Sequence, residues 1–558
     1  MDTLAIGTVS RVLRSIRSRT GLIVLLAAVQ GLLSLSSVWY ALLLRNTIDA
    51  AVQGAADAFV GSITVFALLL ACQLLLRAVL RWAQEYALAG VENALRHRLF
   101  SCLMRRDYAQ VTAVHSGEWL NRMQSDVRVT AEGLCVVLPQ LIGTCVRLVG
   151  AAAMILVLET RLGLILIPCG VLAGVCAWGF RKRLKALHIH SQKKEGAVRV
   201  CMQEALSSLM VVKAFGREND AEARADEQMR EHMAARMRKN RFSNACNAGF
   251  GTAMQGAYLV GLLFCGGGIL SGSMTYGTCT AILQLVGQIQ SPLVSITGHL
   301  PKLIAALGSA ERLHEAEDMR SDDGCCAQEP AVGRYYEEHF EGIGLRDVSF
   351  SYEEDGQERR VYEGLSLSID KGSCTAITGP SGCGKSTLLK LLLCLYEPEK
   401  GQCVLREDGA ERTLTAADRG LFAYVPQGNH LLGGSIRQAL TFGDEEKMRC
   451  EEKLTAALDA ACALEFVQEL QEGLDTPLGE HGQGLSEGQL QRVAIARALV
   501  SGRPILLLDE CTSALDEATE ERLIENIRRM TDKTVILVTH RPRALRVCSQ
   551  HIVMDKGA

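Results

Sequence analysis

The chain has 558 residues, more than one hydrophobic core accommodates, so at least two domains are expected. Its 59 basic and 62 acidic residues leave a formal net charge of -3, a balance that argues against nucleic-acid binding. Mean hydropathy is positive (+0.14) although 22% of residues are charged, which implies one strongly apolar region and one polar region. The 20 cysteines are scattered, many of them inside apolar stretches, and no CxxC pair occurs. They read as reduced, small apolar side chains rather than a disulfide framework or a metal site. The adjacent Cys325 and Cys326 receive no role.

Arg11, Arg14, Arg17 and Arg19 precede the first apolar stretch, about 21–44. That stretch is too long for a signal-peptide core and long enough to span a bilayer. Five more follow at about 59–80, 135–158, 162–180, 245–270 and 277–300, so six membrane helices are predicted. The first, third and fifth connections are short and poor in cations. The second and fourth are long and rich in Lys and Arg, as in RKRLKALHIHSQKK from Arg181. The positive-inside rule then places both termini and the two long connections in the cytoplasm of a multi-pass protein of the cytoplasmic membrane. The long connections, free of proline, are predicted to continue the helices outward. Their tips are expected near His115–Asp126 and Val211–Glu218, both mixing apolar and charged residues as a docking surface would, or as a plain solvated turn would.

Ionisable groups within spans are functional candidates. Arg77 lies near the cytoplasmic end of its span, where snorkelling explains it. Arg147 is mid-span, open to a cavity-lining role or an internal pair. Gln284 and Gln288 share a face of the sixth helix one turn before Pro292, where they line a polar path or join helices.

Hydropathy falls after Pro301. The expected organisation is a membrane domain over 1–314, a polar linker over 315–342 and an α/β domain over 343–558. In the last region, CTAITG is an apolar strand entering GPSGCGKST, Gly379 to Thr387. This matches a phosphate-binding loop. Gly379, Pro380, Ser381, Gly382, Cys383, Gly384, Lys385, Ser386 and Thr387 would surround the phosphates, with Lys385 on the β- and γ-phosphates and the Ser386 hydroxyl on Mg²⁺. The helix that follows aims its positive end at the same phosphates. PILLLDE, a strand buried on both faces, carries Asp509 to its polar end as a Mg²⁺ ligand and Glu510 as the residue that polarises the attacking water.

These strings, in order with Tyr352, Gln427 in YVPQG, LSEGQ, SALD and His540 in LVTH, resemble the ATP-binding cassette (ABC) transporters. The likeness is to the half-transporter form, with an exporter-type membrane domain and a P-loop NTPase domain in one chain. HSGEWLNRMQSD and VVKAFGRE look like that family's two intracellular loops. The resemblance implies an ATPase that works as a pair with an identical or paralogous chain and moves a solute across the bilayer. It also implies roles. Tyr352 would stack on adenine and Gln427 would touch Mg²⁺ and the attacking water. Glu480 would sit near the intracellular loops. Ser486, Gly488 and Gln489 would contact the γ-phosphate of ATP held by the opposite subunit. Asp516 would lie on the dimer seam, Glu510 would be the base and His540 would hold the γ-phosphate.

Two departures matter. The signature is LSEGQ where the family's usual string is LSGGQ, so Glu487 sets a carboxylate near a triphosphate. The chain also stops at VMDKGA, short of the family's usual end. Cys383 in the loop and Cys511 after Glu510 are expected to make the ATPase sensitive to bulky thiol reagents, with protection by ATP. The substrate class (lipid, peptide or drug-like solute) stays open, although no protease domain precedes the first span, against a peptide-processing exporter. Import of a metal chelate and a regulatory subunit with weak ATPase are the alternatives. Intact Lys385, Asp509, Glu510 and His540 oppose the latter.

Overall fold

In a lipid interior no water satisfies the backbone, so apolar stretches of bilayer length close their hydrogen bonds internally as helices. All six do so in the computed structural model, which describes residues 19–322, 324, 329–354, 357–428, 431, 433–479 and 484–555. They lie in α1 (Thr20–Val52), α2 (Ala56–Leu103), α3 (Leu138–Leu158), α4 (Thr160–Ser207), α5 (Glu218–Leu270) and α6 (Tyr276–Asp318). By length and composition, four helical segments among the described residues are apolar enough to cross a membrane: α1, α2, the run Ser116–Leu158 that ends in α3, and α5. The other two stretches lie in α4 and α6, which contain Pro168 and Pro292 with Pro301 respectively. At 48 and 53 residues, α4 and α5 are about 70–80 Å long, far more than a bilayer needs.

The chain divides into two compact units, one reaching to Ser101 and resuming over Gly117–Glu317, the other made of Cys102–Ser116 and Asp318–Ala558. In the first unit, α1 packs along α3 and α4 along α5. Its core joins Val38 and Ala41 of α1, Ile155 of α3, Leu162 of α4, Cys265 of α5, and Ile282 and Leu285 of α6. Gly143 permits the α1–α3 approach, since a Cβ there would stand 2.6 Å from Gln30 Cγ and 3.0 Å from Ser34 Oγ.

The reversal in the first long connection lies earlier than composition suggested. The helix α2 ends at Leu103, and a short helix, Tyr108–Ala113, is capped by Asp107, whose Oδ1 accepts from the Ala109 N–H at 2.8 Å. From Ser116 the chain is already returning, through single π-helical stretches at Arg122–Asp126 and Gly133–Val137. The charged residues of this return are occupied within their own unit. Buried Arg122 donates to Glu118, Glu315 and the Arg312 carbonyl and lies over the Trp119 ring, and Asp126 accepts from Ser309 and Arg312. The second reversal falls where expected, around a break at Ser208, the helix Leu209–Ala214 and Gly216. Its apolar side chains Met210, Val211 and Phe215 are exposed.

The segment expected to be a plain linker is partly structured. It holds the end of α6 and a helix at Glu329–Glu338, whose Tyr336 is buried with its hydroxyl 2.7 Å from Thr534 Oγ1. The second unit then builds two sheets. The antiparallel one has the order β2 (Gln357–Asp370), β1 (Phe340–Glu354), β4 (Lys400–Glu407), β5 (Ala410–Thr413). The parallel one has the order β9 (Gln550–Val553), β3 (Cys374–Thr378), β8 (Thr534–Val538), β7 (Ile505–Asp509), β6 (Phe422–Val425). Both β7 and β8 are buried throughout, as apolar runs in a covered parallel sheet must be. Period-two alternation divides their side chains between two cores. Leu506, Leu508, Val535 and Leu537 join the core that includes Val493 and Ile495, and Ile505, Leu507, Ile536 and Val538 join the one that includes Leu388 and Leu392.

Candidate nucleotide site

The strand β3 ends at Thr378 and the chain enters the loop, with Gly379, Gly382 and Gly384 all at positive φ (156°, 79° and 107°). Gly384 is required twice, by its φ and because a Cβ would stand 2.6 Å from both Tyr362 Oη and Val361 Cγ1. The Tyr362 hydroxyl donates to the Gly384 carbonyl at 2.5 Å, fixing the loop's exit. The helix α7 (Lys385–Leu392) starts directly after it. Lys385 is buried and curls back, its ammonium donating to the carbonyls of Gly379 (3.0 Å) and Pro380 (3.1 Å). The cation thus sits within the loop, where anionic phosphate would be received.

Tyr352 stands beside α7, its hydroxyl 3.1 Å from Thr387 Oγ1 and its ring edge-on to Phe350 and Tyr396. Tyr396 also meets the ring of Tyr108 edge-on at 5.8 Å. The tip of the first long connection therefore reaches the aromatic wall of this site. It is tied there by Asp107 N–H to the Arg320 carbonyl (3.0 Å), Asp322 N–H to the Arg105 carbonyl (2.8 Å), and Arg320 N–H to Gln110 Oε1 (2.8 Å).

Asp509 ends β7, 1% exposed. The Ser386 hydroxyl lies beside it and helps hold its pKa down, the Tyr424 hydroxyl donates to Oδ2 at 3.5 Å, and Oδ1 has no partner. Burial, with the charge of Glu510 beside it, pushes this carboxyl above the usual range. An orphaned carboxylate oxygen next to a hydroxyl is an incomplete hard-cation site. Among the described residues no group of three His, Cys, Asp or Glu stands ready to complete it. That donor set suits Mg²⁺, which takes one or two protein oxygens and fills its shell with phosphate and water.

Next in the chain, Glu510 has φ +49°, a conformation a non-glycine residue adopts at a cost of about 1 kcal/mol. Its N–H is held by the Val538 carbonyl at 3.1 Å. The strained turn aims the carboxylate at two groups from other strands. Gln427 Nε2, two residues beyond β6, donates to Oε2 at 2.9 Å, and His540 Nε2, two residues beyond β8, is 3.5 Å from Oε1. The loop, Tyr352, Asp509, Glu510, Gln427 and His540 thus come together at the carboxyl ends of the parallel strands.

Ser486, Gly488 and Gln489 do not join them by any hydrogen bond or ion pair among the described residues. They open α8 (Glu487–Val500) as a capping box, in which Ser486 Oγ accepts from the Gln489 N–H and Gln489 Oε1 accepts from the Ser486 N–H at 2.8 Å. The S-x-x-Q spacing carries that signal in the sequence. Glu487 occupies the first helical position and is exposed, where a negative charge favours the helix start. Gly488 has no room for a side chain, since a Cβ would lie 2.7 Å from the Ala514 carbonyl oxygen.

Three further residues bind these parts together and were missed in the sequence. Gln491 donates to Ser513 Oγ (2.9 Å) and accepts from the Ala514 N–H (3.1 Å). Arg541 donates to Glu520 (2.7 Å), to the Ser513 carbonyl (2.8 Å) and to the Leu515 carbonyl (3.2 Å). Glu520 is 1% exposed and Arg541 half-buried, so a partly buried pair holds the turn after His540 against SALD. Asp516 caps α9 (Glu517–Arg528), and the Thr519 N–H it accepts keeps its carboxyl below the ordinary range.

Two expectations need correction or lie elsewhere. Cys383 is buried in the core with Leu388 and Tyr362, not crowded against the phosphates. Its thiol is screened, and only its main chain remains for the loop. Cys511 is buried too, and burial pushes its thiol up to about 12. A bulky maleimide is therefore expected to leave Cys383 unlabelled in the folded protein, with or without ATP, and to react after denaturation. Peptide mapping checks this, and rapid labelling with loss of ATPase would restore the earlier reading. Glu480 lies outside the described residues.

Comparison with known proteins agrees with this arrangement. The family described as ABC transporter transmembrane region matches residues 20–293, and the family described as ABC transporter matches 362–513. The chain is 28% identical over 473 residues to "ABC transporter B family member 1" of Dictyostelium discoideum, covering 83% of this chain but only half the length of that relative. It is 28% identical over 524 residues to "ATP-dependent lipid A-core flippase" of Haemophilus ducreyi, covering 92% of this chain and 88% of that one. A solved structure, "Structure of a bacterial Atm1-family ABC exporter with ATP bound", superposes with a TM-score of 0.78 over 97% of this chain and 94% of that chain; at 23% identity it speaks for the fold alone.

Proposed function

Because the chain belongs to the ABC transporters, as an integral membrane half-transporter whose ATPase is coupled to transport, we propose that it exports an anionic amphiphile from the cytoplasmic side as one half of a dimer. The relatives named as flippases support the direction and the lipid-like cargo, and nothing in the comparisons supports the importing alternative.

The observation that carries the substrate class is Arg147. It lies within α3, its Nε is buried without a partner, and it makes no hydrogen bond or ion pair among the described residues. A guanidinium held in a membrane span calls for an anion, and Arg77 of α2 nearby adds a second positive charge rather than cancelling the first. A phosphate or carboxylate on an amphiphile satisfies both.

In the cassette, ATP would lie with its adenine on Tyr352 and its phosphates in the loop from Gly379 to Thr387. Ser386, Asp509 and Gln427 would hold Mg²⁺, which when bound offsets charge on the β- and γ-phosphates. Glu510 would accept the proton of the attacking water, with Gln427 orienting that water and His540 donating to the γ-phosphate. Ser486, Gly488 and Gln489 stand apart from this set, so we assign them to the ATP of the second chain, where Glu487 would weaken that site relative to its own. The exposed tip Met210–Phe215 would dock on the second chain's cassette and the Tyr108 tip on its own, passing closure to the helices. Both termini would then face the cytoplasm.

The test is ATPase stimulation in nanodiscs by an anionic and a zwitterionic lipid of equal chain length. The anionic lipid is expected to stimulate. In Arg147→Gln, its half-maximal concentration should rise about tenfold, from the loss of one charge-assisted contact, while Arg147→Lys retains most of the effect. Equal stimulation of the wild type by both lipids would overturn the substrate class and leave the ATPase assignment standing.

A further inference from the structure

We propose that Cys374 and Cys548 form an oxidisable dithiol, a modification site at which a hydroperoxide closes a disulfide that fastens the edge strand β9 and the helix before it to β3. The two Sγ atoms lie 3.2 Å apart. This is not a chance meeting of mobile groups, because the main chain on both sides is already locked. The Ser549 N–H donates to the Cys374 carbonyl at 2.8 Å, and the Cys374 N–H donates to Ser549 Oγ at 3.1 Å. From there β9 runs parallel to β3 in continuous register, Gln550 opposite Thr375 through Val553 opposite Thr378. Two thiols on adjacent paired segments of a sheet edge need only rotate about their Cα–Cβ bonds to bond.

The surroundings favour this pair over the other cassette thiols. Among the described cassette cysteines, Cys383, Cys403, Cys462 and Cys511 are buried; Cys394 and Cys450 are partly exposed, as Cys374 and Cys548 are, but only Cys374 and Cys548 bring their sulfurs together. A hydrogen bond joins the two thiols and either can donate it; with Cys548 as donor the Cys374 thiol is held below its ordinary value, and in that arrangement Cys374 is the attacking sulfur and Cys548 the resolving one.

The chemistry balances with a hydroperoxide as the sole oxidant. The Cys374 thiolate attacks the O–O bond, an S–O bond forms, and the alkoxide leaves and takes up a proton as an alcohol (water, for hydrogen peroxide). The Cys548 sulfur then attacks the sulfenic sulfur, the S–S bond forms, the S–O bond breaks, and hydroxide leaves with the Cys548 proton as water. Two thiols are oxidised by two electrons and one peroxide bond is reduced.

The position gives the bond a consequence. The segment between the two cysteines includes the phosphate loop, Glu510 and His540, and α10 (Pro542–Val547) runs from the turn after His540 to Cys548. At its other end, β9 leads to Met554, whose N–H donates to the Thr378 carbonyl and whose carbonyl oxygen backs Gly379. The disulfide would keep this edge from peeling away from the phosphate-loop strand. Closing so long a loop should raise the cassette's melting temperature by roughly 5 °C or more.

The experiment treats the full-length protein in nanodiscs with graded hydrogen peroxide and maps peptides without reduction. We expect a cross-linked Cys374–Cys548 pair, 2 Da lighter than the two thiol peptides, as the first cysteine product in the cassette. The melting temperature should rise with it and return on adding dithiothreitol. In Cys548→Ser the reaction should stop at a Cys374 sulfenic acid that dimedone traps. Oxidation of other cassette cysteines while this pair stays reduced would overturn the proposal, as would a Cys374 adduct in the wild type with no cross-link. The wild-type mapping decides the matter even if the variant fails to fold.

Discussion

Replacing Glu510 by Gln is expected to lower ATP turnover at this chain's own site by about 10²–10⁴-fold, the range a general base contributes, and to leave ATP trapped there. The change isolates chemistry from structure. Gln keeps the length of the side chain, tolerates the +49° φ as Glu does, and retains an oxygen that can accept from Gln427 Nε2. What it loses is the capacity to take a proton from water. Replacement by Ala would also remove the contacts to Gln427 and His540, so a deficit there would say less. Hydrolysis measured in nanodiscs, with retention of labelled ATP after gel filtration, reads both effects. The residual rate also reports the partner. If two identical chains pair, both sites carry the change and turnover falls to background. If a different chain pairs with this one, its own phosphate loop stays intact and a fraction of the rate persists. Unchanged hydrolysis by the purified variant chain alone would remove Glu510 from its assigned role.

The parts of this site that were legible in the sequence are those written in short local strings. A strand, a glycine-rich turn and a helix start lie within CTAITGPSGCGKST, and the buried runs ILLLD and TVILV announce strands covered on both faces. Their placement side by side follows from covering a parallel sheet. What local strings do not encode is which distant groups meet. The Arg541–Glu520 pair spans 21 residues and the Gln491–Ser513 bond 22, and neither sits in a pattern that marks it. The direction of the Cys383 side chain was misread for a related reason. Its neighbours in sequence are loop glycines, but its neighbours in space are Tyr362 from β2 and Met554 from the end of the chain. The first tip was placed too late because HSGEWLNRMQSD has the composition of a docking surface, whereas its charges are satisfied by Glu315, Ser309 and Arg312 of α6. Composition shows that charges need partners and leaves open whether the partners lie in the same unit.

Asp509→Asn is expected to abolish hydrolysis and at the same time to make the nucleotide-free cassette more stable, by about 1–2 kcal/mol or roughly 3–6 °C in melting temperature. The reasoning rests on an imbalance built into the site. Asp509 is 1% exposed, accepts weakly from Tyr424 at 3.5 Å, and leaves Oδ1 with no donor. A buried carboxylate so poorly paired costs folding free energy, which is why its pKa stands above the ordinary value. The sign follows from linkage. An acid whose folded pKa is raised opposes folding wherever it is ionised in the unfolded chain. Its penalty grows as pH rises through the unfolded value of about 4 and is complete above the raised folded value. The advantage of Asn over Asp should therefore be full at pH 7.5 and shrink as pH falls through that window. Asn is neutral, and its amide can donate to Ser386 while its oxygen accepts from Tyr424. The order should invert with ligand, because Mg²⁺ and ATP stabilise the wild type by binding its folded state and the variant lacks the oxygen that would hold the cation. Melting curves of both proteins at pH 7.5 and pH 5.5, with and without Mg²⁺ and ATP, contain the whole argument. A variant less stable than the wild type without ligand would mean that Oδ1 is satisfied in the resting site, and the strain we assign to Asp509 would have to be withdrawn.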